Sequence, residues 1–411
     1  MTPFPYKQNT LYCEDTPLAD IADAVGTPAY VYSQAELLRR AAAFQVENGL
    51  ACYAVKANGN PTLLHLLGQA GIGADVTSGG ELFLALHAGI SPEKIIYSGV
   101  GKLRREIEYA LEAGIRALHV ESAMELETIA EVAMQRQVIA SVGVRVNPNI
   151  AVETHPYIST GQREHKFGVS PDTAVAILQF AQHHPWLQPV SLAAHIGSQI
   201  TDLPPFVESA RFLVNMANEL AENGIRLQYL DVGGGLGIDY GAGNVLPLAE
   251  WVTAVTEPIL QAGYEVIMEP GRSIVGPTGA LLTRVVYTKP QGDKEFLIVD
   301  AGMNDLLRPT LYKAHHPILP VEQMTGTAIV PVTYDIVGPI CETGDFLAKA
   351  FPLPRQEPGD LLAVMQAGAY GFAMASNYNG RPRPAEVLVN GNQYSIIRQR
   401  QTYDHLLDGT K

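Results

Sequence analysis

From about residue 50 to residue 270, short apolar runs alternate with longer stretches in which apolar residues recur every three or four positions. That is the rhythm of parallel strands joined by crossover helices. Eight strands can be counted: "CYAVKA", "GIGADV", "KIIYSG", "RALHVES", "SVGVRVN", "LAAHIGS", "QYLDVGG" and "EVIMEPG", with helical stretches such as "GELFLALHAG" and "RREIEYALEAG" between them. Eight such units predict an α/β fold, a closed (β/α)8 TIM-like barrel. A doubly wound open sheet is the alternative, but the one glycine-rich stretch, "DVGGGLGIDYG", does not fit G-x-G-x-x-G and falls late in the series. After residue 275 the texture changes to β-branched runs broken by proline and glycine: "RVVYTK", "EFLIVDAG", "AIVPVTYDIVGP", "DLLAVMQAGAY", "AEVLVNG" and "QYSIIRQ". These predict a mostly β domain. The N-terminal stretch, strand-like "TLYCED" before helical "PLADIADAVG", is expected to join it. The expected division is an N-terminal segment 1–30 packing with the β domain, a barrel over 31–275 and a C-terminal β domain over 276–411.

Composition narrows the classes of function. Hydrophobic residues make up 47% of the 411 and charged residues 17%, which suits a folded enzyme and not a disordered chain. Acidic side chains outnumber basic ones by 42 to 28, and no run of lysine or arginine forms a stripe that would follow phosphates, so nucleic acid is not an expected partner. The start, "MTPFPYKQNT", has no apolar core of a leader, and no later stretch reaches the length of a membrane span. A cytoplasmic protein is expected. Cys13, Cys52 and Cys341, odd in number and widely spaced, suit a reducing compartment and neither a disulfide framework nor a four-cysteine metal site; no metal is expected.

In a closed barrel the active site lies at the C-terminal ends of the strands. Those ends offer Lys56, Asp75, Arg145 with Asn147, His195 with Ser198, glycines at 233–237, and Glu269 with Arg272. On an extended strand Ala54, Lys56 and Asn58 share one face. Lys56 reads either as a solvated strand end or as an amine able to form a Schiff base. The three consecutive glycines read either as a tight turn or as a backbone cradle for an oxyanion. Glu269 could pair with Arg272, or accept a hydrogen bond from a protonated pyridine nitrogen. His195 could be a satisfied core residue, or lie against an aromatic ring. Taken together, amine, cradle, imidazole and carboxylate describe a site for pyridoxal 5'-phosphate.

Further landmarks follow in order: "YAVKAN", "TSGGEL", "HPYISTG" then "KFG", "HIGSQI", "DVGGGLG", "EPGR", "LRPTLY", "CETGD" and "GAYGFAMASNYN". Carrying them, the chain from "GTPAYVYS" to "RPRPAEVLV" resembles the fold-type III pyridoxal-phosphate decarboxylases, and within them the branch acting on meso-diaminopimelate. The resemblance implies an alanine-racemase-like barrel with a C-terminal β domain, in a homodimer with active sites at the subunit interface. It implies conversion of meso-2,6-diaminopimelate to L-lysine and carbon dioxide, the last step of lysine biosynthesis.

By that likeness Lys56 carries the cofactor and His195 stacks on its ring. Ser198, Gly234, Gly235 and the backbone of Glu269, Pro270, Gly271 and Arg272 hold the phosphate, with Tyr370 also in the cofactor site. The Glu269 side chain meets the pyridine nitrogen. Arg272, Arg308, Tyr312, Glu342 and Tyr370 bind substrate, the arginine forks suiting carboxylates and Glu342 an ammonium. Cys341 is the implied proton donor, supplied from the partner subunit. Read without the resemblance, Arg308 and Tyr312 would be one face of a surface helix, and Cys341 a buried, inert thiol. Related enzymes act on ornithine, arginine, D-lysine or carboxynorspermidine, and the fold alone does not exclude them. An amino-acid racemase would need a second acid/base, usually tyrosine, where "CETGD" has cysteine. A non-catalytic pyridoxal-phosphate carrier would not need Arg308, Tyr312 and Glu342. Two positions depart from the family pattern and bear on specificity: His165 before "KFG", and Thr343 where serine is commoner. A loop over 155–168 is expected beside the site.

Overall fold

The computed structural model describes residues 2–151, 166–241, 243, 245–324 and 330–411. His165 and most of the 155–168 loop lie outside the described residues. The chain forms two compact units, Arg40–Ile238 with Asn244–Ser273, and Met1–Arg39 with Asp239–Gly243 and Ile274–Lys411.

The first unit is a closed barrel of eight parallel strands, as the strand count predicts: β1 (Gly49–Ala54), β2 (Gly73–Val76), β3 (Ile95–Tyr97), β4 (Ala117–Val120), β5 (Ala140–Arg145), β6 (Leu187–Ala193), β7 (Tyr229–Asp231) and β8 (Glu265–Met268). It closes where β8 pairs with β1, Ile267 opposite Leu50. Crossover helices follow the strands: α1 (Pro61–Gln69), α2 (Gly79–His87), α3 (Arg104–Ala113), α4 (Ala123–Arg136), α5 (Pro171–His183), α6 (Pro204–Glu222) and α7 (Leu248–Gln261). Their starts are written locally. Ser78, Ser122 and Ser170 cap α2, α4 and α5 by accepting from the amides of Glu81, Glu125 and Thr173, and each such cap contributes about 1 kcal/mol. At α2 and α4 the cap stands two residues beyond the strand, Ser78 after Val76 and Ser122 after Val120, so those strand-to-helix turns are short. Along α6 the buried positions Phe206, Ala210, Leu213, Ala217 and Leu220 step by three and four, giving one apolar stripe. Inside the barrel Cys52, Ile96, Ala117, Val190, Tyr229 and Ile267 pack as one cluster, with Leu50 against it.

One detail differs from the expected strands. β1 ends at Ala54, and Lys56 sits in a 3-10 turn, Val55–Ala57, rather than on the strand. Asparagine chemistry closes the strand early: Asn58 Oδ1 accepts the Asn60 N–H and Asn60 Oδ1 accepts the Thr62 N–H, both at 3.0 Å, and Pro61 then opens α1. Leu50 and Cys52 set the inward parity of β1, and the turn keeps Lys56 on that inner side.

The second unit holds the predicted mostly β sheet. Strands run in the order Phe346–Leu353, Val332–Val337, Lys294–Val299, Gly279–Gln291, Ala29–Ser33, Ala385–Asn390 and Gln393–Arg398, while Leu361–Val364 pairs with Gly279–Gln291 and with Ile318–Pro320. Tyr6–Lys7, Thr10–Cys13 and Thr16–Pro17 make a separate small sheet. Leu11, Leu18 and Ile21 share a core with Val31, Leu282, Ala363, Val387 and Val389. The strand Ala29–Ser33, central in this sheet and buried throughout, is not among the expected strands, although Gly26-Thr27-Pro28 precedes its aromatic and β-branched run; it lacks the polar–apolar alternation of a half-buried strand. Among the described residues no helix is long and apolar enough to cross a membrane.

Candidate active site

The C-terminal ends of the barrel strands surround a cavity of about 360 Å³ lined by Lys56, Thr77, Ser98, His119, Arg145, His195 and Glu269, among others. Lys56, delivered by the turn after β1, places Nζ 2.8 Å from Asp75 Oδ2. Asp75 is fully buried on β2, so its carboxylate has a cation opposite it where water cannot serve. Arg145, closing β5, lies 3.3 Å from Glu121 and stacks on the Phe167 ring.

Glu269 follows β8 directly. Burial first, then the nearby Asp75 carboxylate, raises its pKa from 4.5 to about 7, although Lys56 and Arg145 pull the other way. Its Oε1 lies 3.5 Å from Ser98 Oγ and its Oε2 4.0 Å from His195 Nδ1, neither of them a close hydrogen bond. His195 follows β6. Burial holds its imidazole well below the ordinary pKa, with Arg145 and Lys56 adding to the effect, so it is neutral. The Gly234 N–H donates to His195 Nδ1 at 3.2 Å, which fixes the ring proton on Nε2.

The glycines after β7 are required by close approach. A Cβ at Gly234 would lie 2.1 Å from the Glu269 carbonyl oxygen, and one at Gly235, 2.3 Å from the Gly197 carbonyl oxygen. Gly271, after Pro270, likewise lies against Ala54 of β1, whose amide donates to the Pro270 carbonyl at 3.0 Å. Two candidate phosphate ligands from separate loops meet: Arg272, buried, donates to Ser198 Oγ at 3.1 Å.

The other candidates lie in the β unit. Arg308 opens the short helix Arg308–Tyr312 and is buried, not a surface position; its Nη1 lies 2.7 Å from His316 Nε2 and its guanidinium stacks on Tyr240. Tyr312 is half-buried and Tyr370, at φ 57°, also half-buried. Cys341 is exposed, against the expectation for a bare cysteine in a β domain. Its amide donates to Asn379 Oδ1 at 2.9 Å, and Glu342 beside it accepts from the Tyr378 hydroxyl. Thr343 is exposed in the same turn.

Ser98 and His119 line the cavity and were missed. Ser98 ends "KIIYS", so the strand-end rule applied to every strand would have found it; His119 sits inside β4 and carries no such signal. The residues present fit pyridoxal 5'-phosphate: an amine, a neutral imidazole and a buried carboxyl to which no described N–H or hydroxyl comes closer than 3.5 Å share one cavity, and an arginine–serine pair can take an anion.

Comparison with known proteins agrees. Residues 32–276 match the pyridoxal binding domain of the pyridoxal-dependent decarboxylases. Diaminopimelate decarboxylase of Aquifex aeolicus is 45% identical over 406 residues, 98% of this chain and 96% of its own, and that of Pseudomonas aeruginosa 45% over 413, covering 100% and 99%. The crystal structure of the Helicobacter pylori enzyme complexed with L-lysine superposes with a TM-score of 0.90 at 42% identity, covering 95% of this chain and 98% of its own. Likeness at this level runs through barrel and β sheet alike, and the chain belongs to the diaminopimelate decarboxylases, a branch of the pyridoxal-dependent decarboxylase family.

Proposed function

We propose that the residues gathered at the barrel mouth and in the β unit divide the decarboxylation of meso-diaminopimelate to L-lysine and carbon dioxide as follows. The observation that carries the assignment is the shared cavity of Lys56, His195 and Glu269. Bound pyridoxal 5'-phosphate supplies an electron-poor ring that takes up the electron pair left when the carboxylate departs. Lys56 is the amine that holds the cofactor, and Asp75 neutralises it while it is protonated. Glu269 keeps the proton on the ring nitrogen. His195, neutral, can lie against a ring face without adding charge. Ser198, Arg272, Gly234, Gly235 and the backbone of Pro270 and Gly271 hold the phosphate, with Tyr370 as a further contact.

Arg308 binds a substrate carboxylate as a bidentate fork, its orientation set by His316 and Tyr240, and Glu342 takes the distal ammonium. Tyr312 and Arg272 complete the substrate contacts. Cys341, exposed, delivers the proton that replaces the lost carboxylate. Its exposure and that of Glu342 support a homodimer in which this turn acts in the partner's site. The three free cysteines support a cytoplasmic enzyme. The test is carbon dioxide release from meso-diaminopimelate with ornithine, arginine, D-lysine and carboxynorspermidine as competitors. Preference for any of these over meso-diaminopimelate overturns the substrate assignment.

A further inference from the structure

Asp231 closes β7 beneath the cavity and is fully buried. Its Oδ1 accepts the Gly233 N–H at 2.8 Å, while among the described residues no N–H or hydroxyl donates to Oδ2. His119 Nδ1 lies 3.7 Å from Oδ2, and one atom from each of Asp231, His119 and Glu269 lies within 4.8 Å of the other two. His119 turns its Nε2 to the Tyr229 hydroxyl at 3.0 Å and to Ser191 Oγ at 3.3 Å, and burial lowers its pKa to about 3, so it is not a cation able to satisfy a carboxylate.

Two buried carboxyls this close do not both ionise; the pair retains one proton. The groups around it decide which keeps it. Glu269 faces Lys56 from the turn after β1 and Arg145 from the end of β5, both favouring its anion, against Asp75 of β2. Asp231 faces the Glu269 and Asp75 carboxyls, offset by the Gly233 amide. Burial and then Glu269 therefore push Asp231 well above the carboxylate range, and a hydrogen bond between the two raises Asp231 while lowering Glu269.

We propose that Asp231 is a positioning residue: its protonated Oδ2 donates to Glu269 and holds that carboxylate ionised and aimed at the ring nitrogen. The inference rests on the reading of Glu269 given above. An asparagine can reproduce the arrangement, with Oδ1 on the Gly233 amide and Nδ2 donating to Glu269. An alanine cannot.

The test compares kcat against pH for the purified holoenzyme and its Asp231→Asn, Asp231→Ala and Glu269→Gln variants. Glu269→Gln identifies the acid limb that belongs to Glu269; if that variant keeps the wild-type kcat and limb, the reading of Glu269 itself fails. Given that limb, Asp231→Ala is expected to lower kcat about tenfold to a hundredfold, the scale of one charge-assisted hydrogen bond, and to move the limb to higher pH because Glu269 has lost a donor. Asp231→Asn is expected to restore both. A loss of kcat in Asp231→Ala with the limb unmoved means a merely structural role and overturns the inference. So does an Asp231→Asn limb displaced to lower pH, which is what removal of an anionic Asp231 would produce, and that arm stands even if the alanine variant does not fold.

Discussion

Glu269 gives a quantity that can be measured without turnover. In the cofactor-free protein its carboxyl titrates at about 7 instead of 4.5, chiefly through burial and secondly through Asp75. Between those two values the folded state holds a proton that the unfolded state has lost. The contribution to stability is complete below pH 4.5, falls as pH rises through 7, and is level above. An interval of about 2.5 pH units at 1.36 kcal/mol each makes the fall about 3 kcal/mol. Total stability will not display it plainly, because His119, held at about 3 instead of 6.5, contributes in the opposite sense: its stability is present above pH 6.5 and is lost as pH falls toward 3. Glu269→Gln removes the first effect and leaves that of His119; it also lessens the rise that Glu269 causes in the Asp231 pKa, which acts on stability in the same sense. Urea unfolding of both cofactor-stripped proteins from pH 4.5 to 8, followed by tryptophan fluorescence, gives the difference directly. Wild type minus variant should fall by at least about 3 kcal/mol across that range, the share of Glu269 itself. A difference flat to within 1 kcal/mol, or one that rises, would refute the reading that burial outweighs Lys56 and Arg145 at the carboxyl after β8.

Lys56→Ala should leave a protein whose visible cofactor absorbance is removed by dialysis; absorbance retained after dialysis contradicts the assignment of Lys56. Cys341→Ala should lower kcat by about a hundredfold, as expected for loss of a general acid, and unchanged turnover would exclude that role. If the Cys341 turn serves the partner's site, mixing inactive Lys56→Ala and Cys341→Ala proteins should regenerate activity through heterodimers, whereas a site built within one chain stays inactive in the mixture. Gly234→Ala forces apart a Cβ and the Glu269 carbonyl that would sit 2.1 Å from each other. A displacement of about 1 Å there should cost about a hundredfold in kcat/KM, and a variant within twofold of wild type would show that the loop yields without moving Glu269.

How much of this was legible in the sequence depended on where each constraint is stored. The barrel is written in strand–helix alternation and serine caps, all local, and the rule that sites lie at strand ends leads from there to Lys56, His195 and Glu269. The Asn-Gly-Asn-Pro break was visible too, but not that its asparagines would end β1 two residues before the lysine. His119 was opaque because it sits inside β4, and Asp231, although it closes β7 where the strand-end rule looks, takes its meaning from three strands meeting beneath one cavity; in "LDV" and "LHV" they look like ordinary polar punctuation. The glycine run read as either a turn or an oxyanion cradle, while the reason at Gly234 is the carbonyl of β8. Arg308 similarly looked like half of a helix face. Its burial is set by His316 and by Tyr240, which comes from a stretch that sequence reading joined to the glycine loop.

The closure between β8 and β1 has a bearing on assembly. Lys56 and Glu269 come from opposite ends of the barrel sequence and meet only because Ile267 pairs with Leu50 and Ala54 bonds to Pro270. That seam joins segments far apart along the chain, so its loop-closure entropy is met late in folding. Neither a nascent chain still lacking β8 nor a fragment starting after β1 can bring the two ends of the cofactor's cradle together. Cofactor uptake during synthesis thus reports the moment the last strand docks, and a ligand gripping both strands acts as a latch across the one junction that the chain does not cover by direct succession.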